Sequence, residues 1–184
     1  LERVLEIPFY VPLGLILAPF AAIFIKLTYR QYDFWHRVGR VPMPLKTALA
    51  GVLVGVVGIG LPEVLGGGRS VMNEVLLGEA DYLVGTLILI TVVKMLVTTL
   101  SLATGFAGGI FAPSLFIGSL IGDAYGQVMN TLFGASAGDP RAFAIAGMAG
   151  MMAGVVRAPI TAIMLVFELT NDYRFILPIM LVAV

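Results

Sequence analysis

Cysteine is absent from this 184-residue chain, histidine occurs once, and charged residues make up only 12% of it. The first absence excludes disulfides and thiolate metal sites, though it identifies no compartment. The lone His36, with no H-E-x-x-H motif, supplies neither a metal centre nor an intramembrane metalloprotease. No G-x-S-x-G elbow is present to carry a serine nucleophile. Nothing in the residues points to an enzyme, a metal or a cofactor. Lys and Arg number 11 and are balanced by 11 Asp and Glu, with no basic run of the kind that neutralises phosphates, so nucleic acid is not an expected partner. Charge of either sign is missing altogether between Met95 and Asp123.

Apolar residues fill the chain instead. They reach 59%, and the mean hydropathy is +1.02, whereas a soluble domain has about 45–50% apolar and about 25% charged residues. Between Leu45 and Leu61 the only charge is Lys46, and between Leu83 and Gly122 the only charge is Lys94. Such stretches match the roughly 20 apolar residues a spanning helix needs. The expected class is an all-α, multi-pass integral membrane protein in a lipid bilayer, that of an inner or plasma membrane. The opening Leu1-Glu-Arg has no initiator Met and no basic region ahead of an apolar core. The far end, "FILPIMLVAV", stops inside an apolar run. Residues 1–184 are therefore expected to be a single partial transmembrane domain, truncated at both ends.

Val11 to Thr28 reads as a first span, with Pro19 as a tolerated kink. The next segment, "KLTYRQYDFWHRVGR", holds Lys26, Arg30, Arg37 and Arg40 among Tyr29, Tyr32 and Trp35. It is expected to be an interfacial loop on the cytoplasmic side, by the positive-inside bias. After the "VPMP" break, Leu45 to Leu65 forms a second span, and an acidic segment with Glu74, Glu79 and Asp81 suits the external side. Tyr82 to Leu102 makes a third span, with Lys94 and Thr98 on one face and Thr91 close to it. Three shorter or interrupted elements follow, Pro113–Phe133, Arg141–Val156 and Ile160–Thr170, separated by "GASAGDP" and "RAP". Discontinuous helices of this kind mark transporters and channels whose ion site lies near the bilayer midplane. Small residues recur every fourth position at Gly118, Gly122 and Gly126, then at Ala146, Gly150, Gly154 and Ala158. In lipid, such spacing lets helix backbones approach closely.

The uncharged stretch contains "GFAGGIFAPSLFIG", Gly105 to Gly118. Pro113 suits the first position of a helix, where its missing N–H has no partner to lose. Gly108 to Ala112 would then present N–H groups around a helix start. That end carries roughly half a positive elementary charge, and an anion is its natural partner. Glycines let the main chain come close to an ion, and such a site is weak enough for the ion to leave, as a pore requires. On these residues alone, a tight turn between packed helices is the alternative. No G-K-[ST] follows to make a phosphate loop.

"GGIFAP", Gly108 to Pro113, is similar to the chloride-filter motif of the CLC family of voltage-gated-type chloride channels and proton/chloride antiporters. "FAIAGMAGMMAGVVRAPITAIMLVFELTNDY", Phe143 to Tyr173, resembles that family's late membrane helices. The resemblance covers essentially the whole chain. It implies the second half of a CLC-type inverted-repeat bundle with broken and half-spanning helices, working as a homodimer and lacking in this chain the first half of its own membrane domain. It implies chloride transport, with the ion held by backbone amides at Ile110 and Phe111 first and Gly109 and Ala112 as neighbours. The family's filter serine and gating glutamate come from the first half, as does the internal glutamate of its exchangers, and its filter tyrosine comes from the last membrane helix. None of these lies in this chain, so channel and exchanger are not separated. Tyr173 falls in the "NDY" turn and is not that tyrosine.

Four other charged residues invite functional roles and are expected to have structural ones. Glu168 is expected at an interface, capping or pairing near Asp172, and Arg157 is expected to clamp the last carbonyls of the helix before it. Lys94 is expected to pair with an acid or to snorkel, and Asp123 to face the far end of its helix or solvent. Two functions from other classes stay open: a non-transporting membrane scaffold, in which the loop is packed shut, and a secondary transporter of another solute, which needs a cavity lined by polar side chains.

Overall fold

The computed structural model of the chain describes residues 2–37, 42–78, 82–106, 108–134, 138–170 and 173–184, with side chains from Ile7 onward. Arg40, Glu79, Asp81 and Asp172 lie outside the described residues. Among the described residues there are eight α-helices and no strand: α1 (Glu2–Arg37), α2 (Met43–Gly60), α3 (Arg69–Leu77), α4 (Val84–Ala103), α5 (Phe111–Phe133), α6 (Pro140–Val156), α7 (Pro159–Thr170) and α8 (Ile176–Ala183). Segments Ile7–Arg37, Met43–Gly60 and Val84–Ala103 are long and apolar enough to cross a membrane. Helices α3, α7 and α8, of 9, 12 and 8 residues, are too short to cross alone.

Helix α1 departs from the sequence expectation. The basic segment expected as a loop is helical through Arg37, so Lys26, Arg30 and Arg37 ride on the helix itself. Lys, Arg and Gln are good helix formers, and no Gly or Pro interrupts residues 20–38. Pro8, Pro12 and Pro19 all lie inside the helix, where neighbouring helices make such breaks tolerable. At about 1.5 Å per residue its 36 residues run about 54 Å, well beyond a hydrocarbon core of about 30 Å. Its basic end is tied to α2 by buried Lys46, whose Nζ donates to the Trp35 carbonyl at 2.5 Å.

Helices α5 and α6 together form the centre of the fold. Ser114 through Gly126 are all buried. Ile117, Ile121 and Tyr125 join Tyr10, Leu17 and Phe143 in one core with α1 and α6. Leu115 joins Met148, Met152, Val166 and Ile179 in a second core with α6, α7 and α8. Phe116, Leu120 and Ala124 join Val71, Val75, Leu87 and Ile90 in a third core with α3 and α4. The small-residue spacing has the expected use: a methyl on Gly118 would overlap the Gly147 carbonyl, and one on Gly122 would overlap the Phe143 carbonyl. A methyl on Gly126 would sit 2.7 Å from Pro140 Cα, and one on Gly154 would sit 2.8 Å from Ala21 Cβ. At Gly118, Gly122 and Gly126 such contact seats α5 directly on the backbone of α6.

Candidate functional site

Helix α4 ends at Ala103, and its exit is anchored before the open loop starts. The Thr104 N–H donates to the Leu100 carbonyl at 3.1 Å, and the Thr104 carbonyl accepts from Thr47 Oγ1 of α2 at 2.6 Å. Gly105 adopts φ +87°, a conformation that glycine accepts without steric cost. It sits against Met43 and Thr47 of α2. Phe106 N–H then donates back to the Ser101 carbonyl at 3.1 Å.

The loop changes character at Gly108. Gly108 and Gly109 are exposed, and a methyl on either would meet nothing within 4 Å. Ile110 is the N-cap of α5, with φ −85° and ψ −16°, and no side chain caps the helix. The first main-chain bond of the helix runs from Ser114 N–H to the Ile110 carbonyl at 3.0 Å. Among the described residues, no main-chain carbonyl accepts from the N–H groups of Gly109, Ile110, Phe111 or Ala112. Pro113 stands at the third helical position, not the first as expected, because the helix starts two residues earlier at Phe111. It still lies within the first turn, where its lack of an N–H breaks no intrahelical bond. Phe111 is 49% exposed and Ala112 is exposed, whereas Ser114 directly behind them is fully buried. Of the four residues singled out from the sequence, Gly109, Phe111 and Ala112 are exposed and Ile110 is half-buried against the core, at the start of a helix that is buried throughout from Ser114 to Gly126.

The charged residues near this site have specific positions. Lys94 is 2% exposed, so it does not snorkel, and among the described residues it pairs with no acid. Its Nζ donates to the carbonyls of Val64 and Gly66 at 2.6 and 2.7 Å, and it lies 5.0 Å from the centre of the Phe116 ring. It caps the 3-10 turn Pro62–Val64 and the glycine turn after it. Carbonyls 28 and 30 residues away carry no mark in the sequence, which is why this role was missed. Asp123 lies at the far half of α5 as expected, but it is buried, not solvent-facing, and accepts from Gln127 Nε2 at 2.9 Å. Glu168 is exposed near the end of α7, and Tyr173 is exposed with its ring 4.9 Å from that of Phe167.

A cavity of about 280 Å³ opens beside the loop, lined by Thr28 and Tyr29 of α1, by Ile110, and by Val155 to Arg157 at the end of α6. Arg157 is exposed, and the expected clamp is made by its main chain only, the N–H donating to the Ala153 carbonyl at 2.8 Å. Sequence reasoning placed Ile110 and Arg157 on separate elements and had no means of bringing them to one cavity.

Comparison with known proteins adds to this geometry. The family described as voltage gated chloride channel matches residues 2–184. A putative chloride channel protein, ClcB-like, of Ralstonia nicotianae is 36% identical over 179 residues, covering 97% of this chain and 41% of that protein. The H(+)/Cl(-) exchange transporter ClcA of Klebsiella pneumoniae subsp. pneumoniae is 37% identical over 175 residues, covering 94% and 37%. A crystal structure of a slow cyanobacterial Cl-/H+ antiporter superposes with a TM-score of 0.82 at 31% identity, covering 97% of this chain and 41% of that one. A eukaryotic CLC transporter, at 24% identity and a TM-score of 0.80, shares the fold. The chain thus spans about two fifths of the length of these bacterial relatives.

Proposed function

The chain belongs to the voltage gated chloride channel family, and from that premise we propose that it forms the anion-holding part of a chloride-transport domain. The ion is held by the main-chain N–H groups of Gly109, Ile110, Phe111 and Ala112. One observation carries this reading: four consecutive donors without main-chain acceptors among the described residues, at the start of a buried helix, within a stretch free of charge from Met95 to Asp123. A helix start concentrates partial positive charge on such donors. Dipoles alone hold a monovalent anion without trapping it, which conduction requires.

Residues 1–184 act here as one part of a larger permeation domain, in a homodimer with a pathway in each subunit. The relatives include both a putative chloride channel and proton-coupled exchangers, so the coupling to protons is the property to measure. The complete protein in proteoliposomes, loaded with chloride and subjected to an imposed pH gradient, is expected to move chloride. Movement driven by the pH gradient identifies an exchanger, and movement indifferent to it identifies a channel. No chloride movement by a folded protein contradicts the proposal.

A further inference from the structure

A second cavity, of about 290 Å³, lies between α1, α4 and the second half of α5. Leu120, Ile121 and Ala124 make its buried floor, and Ile16, Ile88 and Val128, at 38%, 51% and 37% exposure, stand at its mouth. Two lining residues carry a polar side-chain atom. The Tyr125 hydroxyl is committed, donating to the Phe9 carbonyl at 2.8 Å. Thr91 is 1% exposed, and its Oγ1 is a buried polar atom with no hydrogen-bond partner among the described residues. Such orphans are rare in folded proteins, and each one calls for an explanation. Thr28, Thr99, Thr131 and Thr170 each donate to the carbonyl four residues before them, at 2.8, 2.9, 2.8 and 3.0 Å. Thr91, inside α4, does not take the equivalent bond to Leu87. Water is a poor occupant for this space, because an internal water needs two to four polar partners and the lining offers one uncommitted side-chain atom. Cavities of this composition stay dry and accept apolar guests.

We propose that this cavity is a binding site for a small alcohol or phenol dissolved in the bilayer, with the apolar body over Leu120, Ile121 and Ala124 and the hydroxyl paired with Thr91 Oγ1. The mouth opens between α1 and α4, which carry segments long and apolar enough to cross a membrane. Leu89 and Val92 are exposed on the same stretch of α4, so a ligand enters sideways from hydrocarbon and not from water. The volume lies just below the roughly 300–1,000 Å³ of typical ligand pockets, which suits one short chain or one ring and not a whole phospholipid. An apolar wall with a single polar group, set between helices of a bundle, is a usual composition and place for such a site. A threonine hydroxyl both donates and accepts, so it can pair with the hydroxyl of an alcohol in either sense. The cavity shares no residue with Gly109–Ala112, and the inference does not rest on the chloride reading.

The test uses the complete protein in lipid vesicles and an octanol that carries a photoactivatable diazirine in its chain. After irradiation, adducts are mapped by mass spectrometry, and unlabelled 1-octanol and octane compete at equal concentrations in the bilayer. Adducts are expected on residues that line the cavity, Ile16, Ile88 and Val128 among them. Octanol should compete roughly 3–10-fold better than octane, the effect of one neutral hydrogen bond. Thr91→Val keeps the shape and removes the orphan hydroxyl, so it is expected to fold at least as well as wild type. In T91V the advantage of octanol over octane should vanish. Val128→Phe adds a ring at an exposed rim position and should reduce labelling of the cavity while leaving thermal unfolding unchanged; if V128F does not fold, T91V decides alone. Adducts confined to residues outside the cavity overturn the inference, and they are the result expected if the rest of the complete protein fills this space. Equal competition by octanol and octane in wild type overturns it as well, since the space then takes any apolar chain, a lipid tail included. An octanol advantage that persists in folded T91V does the same. Chloride flux plays no part in these readouts, so the failure of either proposal leaves the other standing.

Discussion

Glycine is abundant both in the α5–α6 contact and in the loop that leads into α5, and it does opposite things in the two places. At Gly118 and Gly122 an added methyl would overlap a carbonyl of α6, while at Gly108 and Gly109 it would meet nothing within 4 Å. In the first region glycine removes a side chain so that two backbones can touch. In the second it leaves main-chain donors uncovered among the described residues. The buried contact makes α5 rigid, and the open loop is the end that this rigidity positions. A site built from backbone dipoles has no side chain to adjust its geometry, so it depends on the helix behind it being immovable.

That contrast can be broken from the buried side first. Gly122→Ala forces a methyl into the Phe143 carbonyl and is expected to destabilise the protein by about 3 kcal/mol or more. Thermal unfolding in detergent should show a lower Tm, and an unchanged Tm would mean that the α5–α6 contact is not tight. Lys94→Met is the intermediate case. It leaves the Val64 and Gly66 carbonyls without their donor, at an expected cost of about 1–2 kcal/mol in the same assay. The main-chain donors at Gly109–Ala112 lie outside this contact, so chloride should still bind. Gly109→Ala is the smallest perturbation. With open space around it and no positive φ, it is expected to change stability by no more than about 0.5 kcal/mol. A large loss would show that the loop is packed and not open.

The same two regions differ in how much of them could be read in advance. That α5 and α6 approach other helices closely was visible because a fourfold spacing of small residues has one physical use in lipid, but which helix each series meets was not; helices α4 to α7 begin and end within about two residues of where hydropathy and proline placed them. The loop was visible as a Gly–Pro pattern in a charge-free stretch, and through its family resemblance. What stayed hidden involved partners that carry no side-chain signature or lie far away in sequence: the carbonyls that hold Lys94, and the cavity shared by Ile110 and Arg157. The helical run through Arg37 was missed for a different reason. Basic and aromatic residues resemble an interface whether or not the helix continues through it, and here no breaker stopped it.

The central claim is that N–H groups, not side chains, hold the ion, and one pair of variants isolates that difference. Phe111→Ala removes the ring and keeps the N–H. Phe111→Pro removes both, at the first helical position, where no intrahelical N–H bond is lost; proline there disfavours the αR backbone of Ile110 before it, so thermal unfolding is compared alongside to show that F111P keeps the wild-type fold. Chloride titration by calorimetry on the complete protein in detergent should find F111A close to wild type. F111P should bind about 10–100-fold more weakly, the loss of one hydrogen bond to a charged ligand at about 1.5–3 kcal/mol. Equal chloride affinity in F111A and F111P, with both proteins folded, would contradict the account.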